Sequence, residues 1–192
     1  MLRMRKLLFS TANSEKFELA DSVCRKFDIV LEKVSLQIDE IQSEDPERVI
    51  RAKAEDAFEL CNAPVIVSDD SWSFLGLKGF PGVYMHSINS WFSPEDFIHL
   101  TATLTDKRAV LTQHLLYINK NQEKMFTHDL SGILLSSPQG VSEHPSHSVV
   151  ALDEDHGLSI AEAFSASKAK HAHVAGLIWH DFAEWFIGPE AA

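Results

Sequence analysis

The segment Val65-Ile66-Val67 sets the strongest limit on what this chain can fold into. Three β-branched side chains in a row carry no polar alternation, so a strand built from them is buried on both faces. Pro64 stands just before them and stops the preceding helix. A strand covered on both sides calls for helices above and below the sheet. The flanking sequence supplies one at Asp45-Pro46, where Pro occupies a first-turn position. Val49, Ile50, Ala54, Ala57, Phe58 and Cys61 give that helix its apolar stripe.

The rest of the chain follows the same alternation of strand and helix. Lys6 to Thr11 reads as a short strand ending in polar residues. Ser14 to Phe27 repeats apolar residues at helical spacing (Phe17, Ala20, Val23, Cys24, Phe27), with Asn13 as its N-cap. Ile29 to Leu36 reads as a second strand. The strand at Val65 is expected to stop at Ser68-Asp69-Asp70-Ser71, and Gly76 to Gly82 to form a loop. Ser93-Pro94-Glu95-Asp96 starts a helix that Phe97, Leu100 and Leu104 continue. Val110–Asn119 and Lys124–Leu135 form a hairpin through Lys120-Asn121-Gln122. Val149 to Leu152 is an apolar run in an otherwise polar stretch, and Ser159 with Glu162 fits a capping box. A last helix spans about Ser167 to Phe186, burying Val174, Leu177, Ile178 and Phe182. The expected architecture is α/β with an antiparallel portion, in one domain over residues 1–192.

Composition limits the partners. Acidic residues number 28 against 17 basic ones, a net charge of −11 that opposes a grip on a nucleic-acid polymer. One phosphorylated small molecule, held by a few local cations and a metal ion, remains compatible with that charge. Apolar runs fall short of the roughly 20 residues of a membrane span. Only Leu7-Leu8-Phe9 follows the basic Met1–Lys6, too short for a signal-peptide core. Cys24 and Cys61 make no disulfide framework, and a cytoplasmic location is the simplest expectation.

Three features carry possible chemistry. Asp69-Asp70 places adjacent carboxylates after an apolar strand, where open α/β sheets bind ligands. Such oxygen donors suit Mg²⁺ shared with phosphate, although a solvated turn uses the same residues. Lys53 shares the apolar face of Val49 and Ala57, so it either snorkels to the surface or meets an anion. Thr11-Ala12-Asn13-Ser14-Glu15-Lys16 gathers donors at a strand-to-helix junction, an arrangement that serves either anion binding or ordinary capping. The ten histidines raise a zinc site, with His144 and His147 beside Pro145 and with His171 and His173 two apart. No Cys-x-x-Cys or His-Glu-x-x-His spacing supports it.

The order of these motifs resembles the inosine triphosphate pyrophosphatase family. The likeness rests on Thr11-x-Asn13-x-x-Lys16, Glu40, Lys53, Ser68-Asp69-Asp70-Ser71 and Gly79-Phe80-Pro81-Gly82-Val83-Tyr84. It runs from about Leu7 to Gly140 and resumes at Ala161-Glu162 and Lys168 to His173. It implies a twisted mixed sheet forming two lobes flanked by helices, an active-site cleft between the lobes, and a homodimer. It also implies Mg²⁺-dependent cleavage of a nonstandard nucleoside triphosphate between the α and β phosphates, releasing a monophosphate and pyrophosphate. Carried over by position, Thr11, Asn13, Lys16, Lys53, Ser71, His86, Lys168 and His173 would bind substrate. Glu40, Asp69 and Asp70 would hold the metal, with Asp69 as general base and Asp70 as its alternative under a one-residue shift.

The chain also departs from that pattern. Ala12 stands where the family usually has Gly, and His86 where it has Lys or Arg. The aromatic stretch that shapes the base pocket is replaced by Pro145-Ser-His-Ser-Val-Val-Ala-Leu152, and Ser-His-Arg by Ala172-His173-Val174. The expectation is altered nucleobase selection. The alternatives are a catalytically weak nucleotide or partner binder and, as a third reading, a zinc hydrolase built on the His-rich C-terminal half.

Overall fold

The computed structural model describes residues 5–166 and 176–189. Within them the strands are β1 (Arg5–Ser10), β2 (Ile29–Val34), β3 (Val65–Phe74), β4 (Pro81–Gly82), β5 (Arg108–Ile118), β6 (Glu123–Leu134) and β7 (Val150–Leu152). The helices are α1 (Ser14–Cys24), α2 (Pro46–Cys61), α3 (Met85–Trp91), α4 (Pro94–Thr101), α5 (Ile160–Ala166) and α6 (Leu177–Ile187). The strands form a mixed sheet in the order β2-β1-β3-β5-β6-β7, with β4 added to β3. The chain divides into two compact units. Residues 5–69, 114–128 and 176–189 lie in the first, and 70–113 and 129–166 in the second.

In the first unit β1 runs parallel to both neighbours, with Leu7 opposite Leu31 and Phe9 opposite Ile66. Both faces of this part of the sheet are covered, as the Val65-Ile66-Val67 run requires. Ile66 packs with Phe9, Leu31, Val23 of α1 and Phe182 of α6. Val65 and Val67 pack on the other face against Ile50, Ala54 and Ala57 of α2. Side chains on a strand alternate between faces, so one run fills two cores.

The second unit is built around Trp72, Phe74, Met85, Phe97, Leu130, Leu152 and Ile160. There β7 lies antiparallel on β6, with Gly132 opposite Leu152. Two helix starts are fixed locally. Ser93 and Asp96 exchange side-chain and backbone hydrogen bonds at α4, and Ser159 and Glu162 do the same at α5.

Several boundaries differ from the sequence-based expectation. β3 does not stop at Ser68–Ser71 but continues to Phe74. Trp72 and Ser73 pair antiparallel with Gly82 and Pro81, and Trp72 and Phe74 are buried, so pairing and burial extend the strand. The Gly76–Gly82 stretch is correspondingly not all loop, since it holds β4. The first helix tightens to a 3-10 turn at Arg25–Phe27 and ends at Asp28, whose φ is +58°. α3 has no side-chain N-cap and was not anticipated. α4 ends at Thr101, short of Leu104. In the last helix Ile178 and Phe182 are buried but Leu177 is exposed, while Val174 lies outside the described residues.

Candidate active site

Two parallel strands of the first unit, β1 and β2, end side by side, next to the middle of β3. Ser10 pairs with Val34 on one side and with Val67 on the other. Thr11 leaves the sheet there, its N–H donating to the Val34 carbonyl at 3.0 Å. Its Oγ1 accepts from the Asn13 N–H at 3.1 Å, and Asn13 Oδ1 accepts from the Lys16 N–H at 2.9 Å, capping α1. Ser35 Oγ donates to the Thr11 carbonyl at 3.5 Å. The sequence-predicted residues Thr11, Asn13 and Lys16 therefore form one turn at a helix N-terminus.

Lys33 joins this turn and was missed from sequence. Its ammonium donates to Ser14 Oγ at 2.9 Å and to the Ala12 carbonyl at 3.3 Å. The available signal was a break in alternation: Ile29 and Leu31 are buried, and Lys33 is the next residue on that face.

Lys53 pairs with Glu40 near the protein surface. Its Nζ lies 2.9 Å from Glu40 Oε1, with the lysine side chain 20% exposed. The Glu40 segment is anchored by Leu36 and Ile38, which pack on the cluster of Ile50, Ala54, Ala57, Val65 and Val67. Asp45 starts α2 by accepting from the Glu47 and Arg48 N–H groups at 3.0 and 3.4 Å.

The two aspartates separate by face. Asp69 follows Val65 and Val67 in alternation and so stands on the face covered by α2, the helix of Lys53. Asp70 follows Ile66 and Ser68 and takes the opposite face. Ser71 is buried next to them. His86 is exposed on α3 in the second unit, and Lys168 and His173 lie outside the described residues. The rings of His144 and His147 are 4.9 Å apart. Among the described residues no group of three or more His, Cys, Asp or Glu is placed to hold a metal by itself.

Neither cysteine has the surroundings of an activated nucleophile. Burial, and then the nearby Asp21 charge, push the Cys24 thiol up to about 12. Cys61 is half-buried at the end of α2.

The same fold occurs in solved structures. The Staphylococcus aureus Ham1 protein superposes with a TM-score of 0.75 at 17% identity, covering 94% of this chain and 98% of that one. A HAM1 protein from Coxiella burnetii gives 0.72 at 16% identity, over 94% and 98% of the two chains. The chain belongs to the Ham1 family, whose model matches residues 7–176. A Methanopyrus kandleri relative named dITP/XTP pyrophosphatase is 26% identical over 94% of this chain and 96% of its own. A Trypanosoma cruzi relative named inosine triphosphate pyrophosphatase 2 is 29% identical over 72% of this chain and 71% of its own.

Proposed function

We propose that the chain is a nucleoside triphosphate pyrophosphatase acting on a nonstandard or modified nucleotide. The observation that carries this reading is the Lys53–Glu40 pair on the α2 side of the sheet, the side on which Asp69 stands. The names of the relatives and the family match support the same chemistry.

In this reading the turn at Thr11–Lys16 takes phosphate oxygens. The positive end of the α1 dipole and the Lys16 and Lys33 ammonium groups supply positive charge there. Lys53 neutralises a further phosphate oxygen, and its bond to Glu40 aims the ammonium. Asp69 orients a water and takes its proton as the bond between the α and β phosphates breaks. Hydrolysis of this kind needs position and charge neutralisation more than covalent catalysis.

The donor set also fits a divalent metal. Glu40 and Asp69 offer carboxylate oxygens, and Mg²⁺ is commonly held by one or two carboxylates together with phosphate oxygens and water. When bound it would neutralise charge on the triphosphate. Mg²⁺ as that ion, a homodimeric assembly and a cytoplasmic location belong to the same reading.

The base-recognition half is read as altered. Pro145–Leu152 replaces the aromatic stretch of the resemblance, and the Arg after His173 is replaced by Val174. Val174 cannot supply the bidentate donors that an Arg presents. A panel of hypoxanthine, xanthine and the four common nucleoside triphosphates, with and without Mg²⁺, tests the reading when pyrophosphate and orthophosphate are measured separately. The expected outcome is Mg²⁺-dependent pyrophosphate release without a strong preference for the hypoxanthine and xanthine nucleotides. Tight binding without turnover would identify a nucleotide binder instead.

A further inference from the structure

β3 and β5 are neighbours in the sheet. The first unit holds the part of β3 that ends at Asp69 and the part of β5 that begins at His114, so the two strands run in opposite directions there. Leu116 packs in the same cluster as Val65 and Val67. His114 precedes Leu116 by two residues, and Asp69 follows Val67 by two. Alternation therefore puts His114 and Asp69 on the same face, at the same end of that cluster.

His114 is 4% exposed, and its buried Nδ1 has no hydrogen-bond partner among the described residues. Its neighbours along the strand, Leu115, Leu116 and Tyr117, are all buried. An apolar residue in its place would leave no unpaired ring nitrogen in the sheet. An imidazole kept there at a stability cost points to a partner that arrives with the ligand.

We propose that His114 is a further catalytic residue: its ring nitrogen holds the water that Asp69 orients. The inference rests on the pyrophosphatase reading above. The water oxygen bonds to phosphorus, the bridging P–O bond between the α and β phosphates breaks, and the bridging electron pair leaves with pyrophosphate. The water proton passes to Asp69. His114 transfers no proton; it fixes the direction of the attacking oxygen.

Two variants and one spectroscopic measurement test this. His114→Val removes the nitrogen and suits an apolar strand position, whereas His114→Asn keeps a polar atom near the Nδ1 position. Turnover by the unaltered protein is measured first, and its absence would overturn both the function and the inference. With turnover present, His114→Val is expected to lower kcat by at least ~10-fold, with KM within about 2-fold. Its melting temperature stays level or rises, and His114→Asn restores most of kcat. The ring-nitrogen NMR signal of His114, assigned by its loss in His114→Asn, is expected to shift when a non-hydrolysable α,β-methylene triphosphate binds. A valine variant with the original kcat overturns the inference while leaving the function standing. So does a loss of kcat that asparagine does not rescue, with an unmoved ring signal. Should the valine variant fail to fold, the asparagine variant and the ring signal decide alone.

Discussion

Lys53 Nζ is 2.9 Å from Glu40 Oε1, and the two side chains are unequally exposed, at 20% for the lysine and 58% for the glutamate. Lys53 lies on α2, the helix that packs Ile50, Ala54 and Ala57 into the core. Its head emerges at the segment before α2 and meets the carboxylate there. Such a pair contributes little to stability, since exposed ion pairs are worth about 0–1 kcal/mol. It does hold a cation and an anion in fixed relative positions.

Replacing Lys53 by Met keeps the stem and removes the charge. The melting temperature is expected to change little, since the loss is on the order of 1 kcal/mol or less. KM for the triphosphate is expected to rise about 10-fold or more, because a phosphate oxygen loses its ion partner. Steady-state kinetics and thermal unfolding of the same preparation check both statements.

Asp69 and Asp70 should respond differently to the same substitution. Asp69→Asn is expected to lower kcat by ~10²–10⁴-fold, the range for loss of a general base. Asp70→Asn, on the opposite face of β3, is expected to cost less than about 10-fold. Equal losses from the two variants would contradict the assignment by face.

Acid should release one identifiable contribution to stability. Arg108 bonds both oxygens of Asp106, at 3.0 and 2.7 Å, and the Arg108 N–H adds a third bond at 3.1 Å. These bonds hold the Asp106 carboxyl at about 2, below its ordinary 3.8. A depressed acid stabilises the fold above its ordinary value, and the contribution is lost as pH falls from 3.8 through about 2. Asp106→Asn is therefore expected to be less stable than the parent at pH 7 and equal to it near the acid end. Urea unfolding across that range measures the convergence.

Thiol chemistry should distinguish the two cysteines. Cys24 is fully buried and its thiol is raised to about 12, so it presents almost no thiolate at pH 8. Alkylation of the native protein at that pH is expected to mark half-buried Cys61 first, and Cys24 only after unfolding. Mass spectrometry of the labelled peptides gives the order.

Gly132 has no room for a side chain. A Cβ there would lie 2.3 Å from the Ala151 carbonyl oxygen and 3.0 Å from the Leu152 Cα, both backbone atoms of β7. Gly132→Ala is expected to destabilise the fold by about 1–3 kcal/mol through strain in the β6–β7 pairing. Thermal unfolding reads this directly.

Local chemistry made much of the fold legible. Asn13, the Ser93–Asp96 box and the Ser159–Glu162 box act over three residues or fewer, so their geometry is implicit in their spacing. The Val65-Ile66-Val67 run announced a strand with two covered faces because it is β-branched throughout and carries no polar alternation, and its side chains fill cores on both faces. α3 gave no such sign: Met85–Trp91 is short and Tyr84 caps it with no side chain. The polar Ser68–Ser71 stretch resembled an end to β3, and pairing with Pro81–Gly82 together with burial of Trp72 and Phe74 carries the strand onward.

The candidate site divides in the same way. The sequence by itself determined which residues are candidates for chemistry: the donors at Thr11–Lys16, Lys53 on an apolar face and an adjacent pair of carboxylates. Tertiary structure alone decided that Glu40 is the anion beside Lys53 and that Lys33 reaches the turn before α1. Capping and periodicity depend on neighbours within one turn, whereas a face or an ion partner depends on which distant strand or helix packs alongside. No spacing along the chain encodes that choice; burial of the apolar clusters makes it.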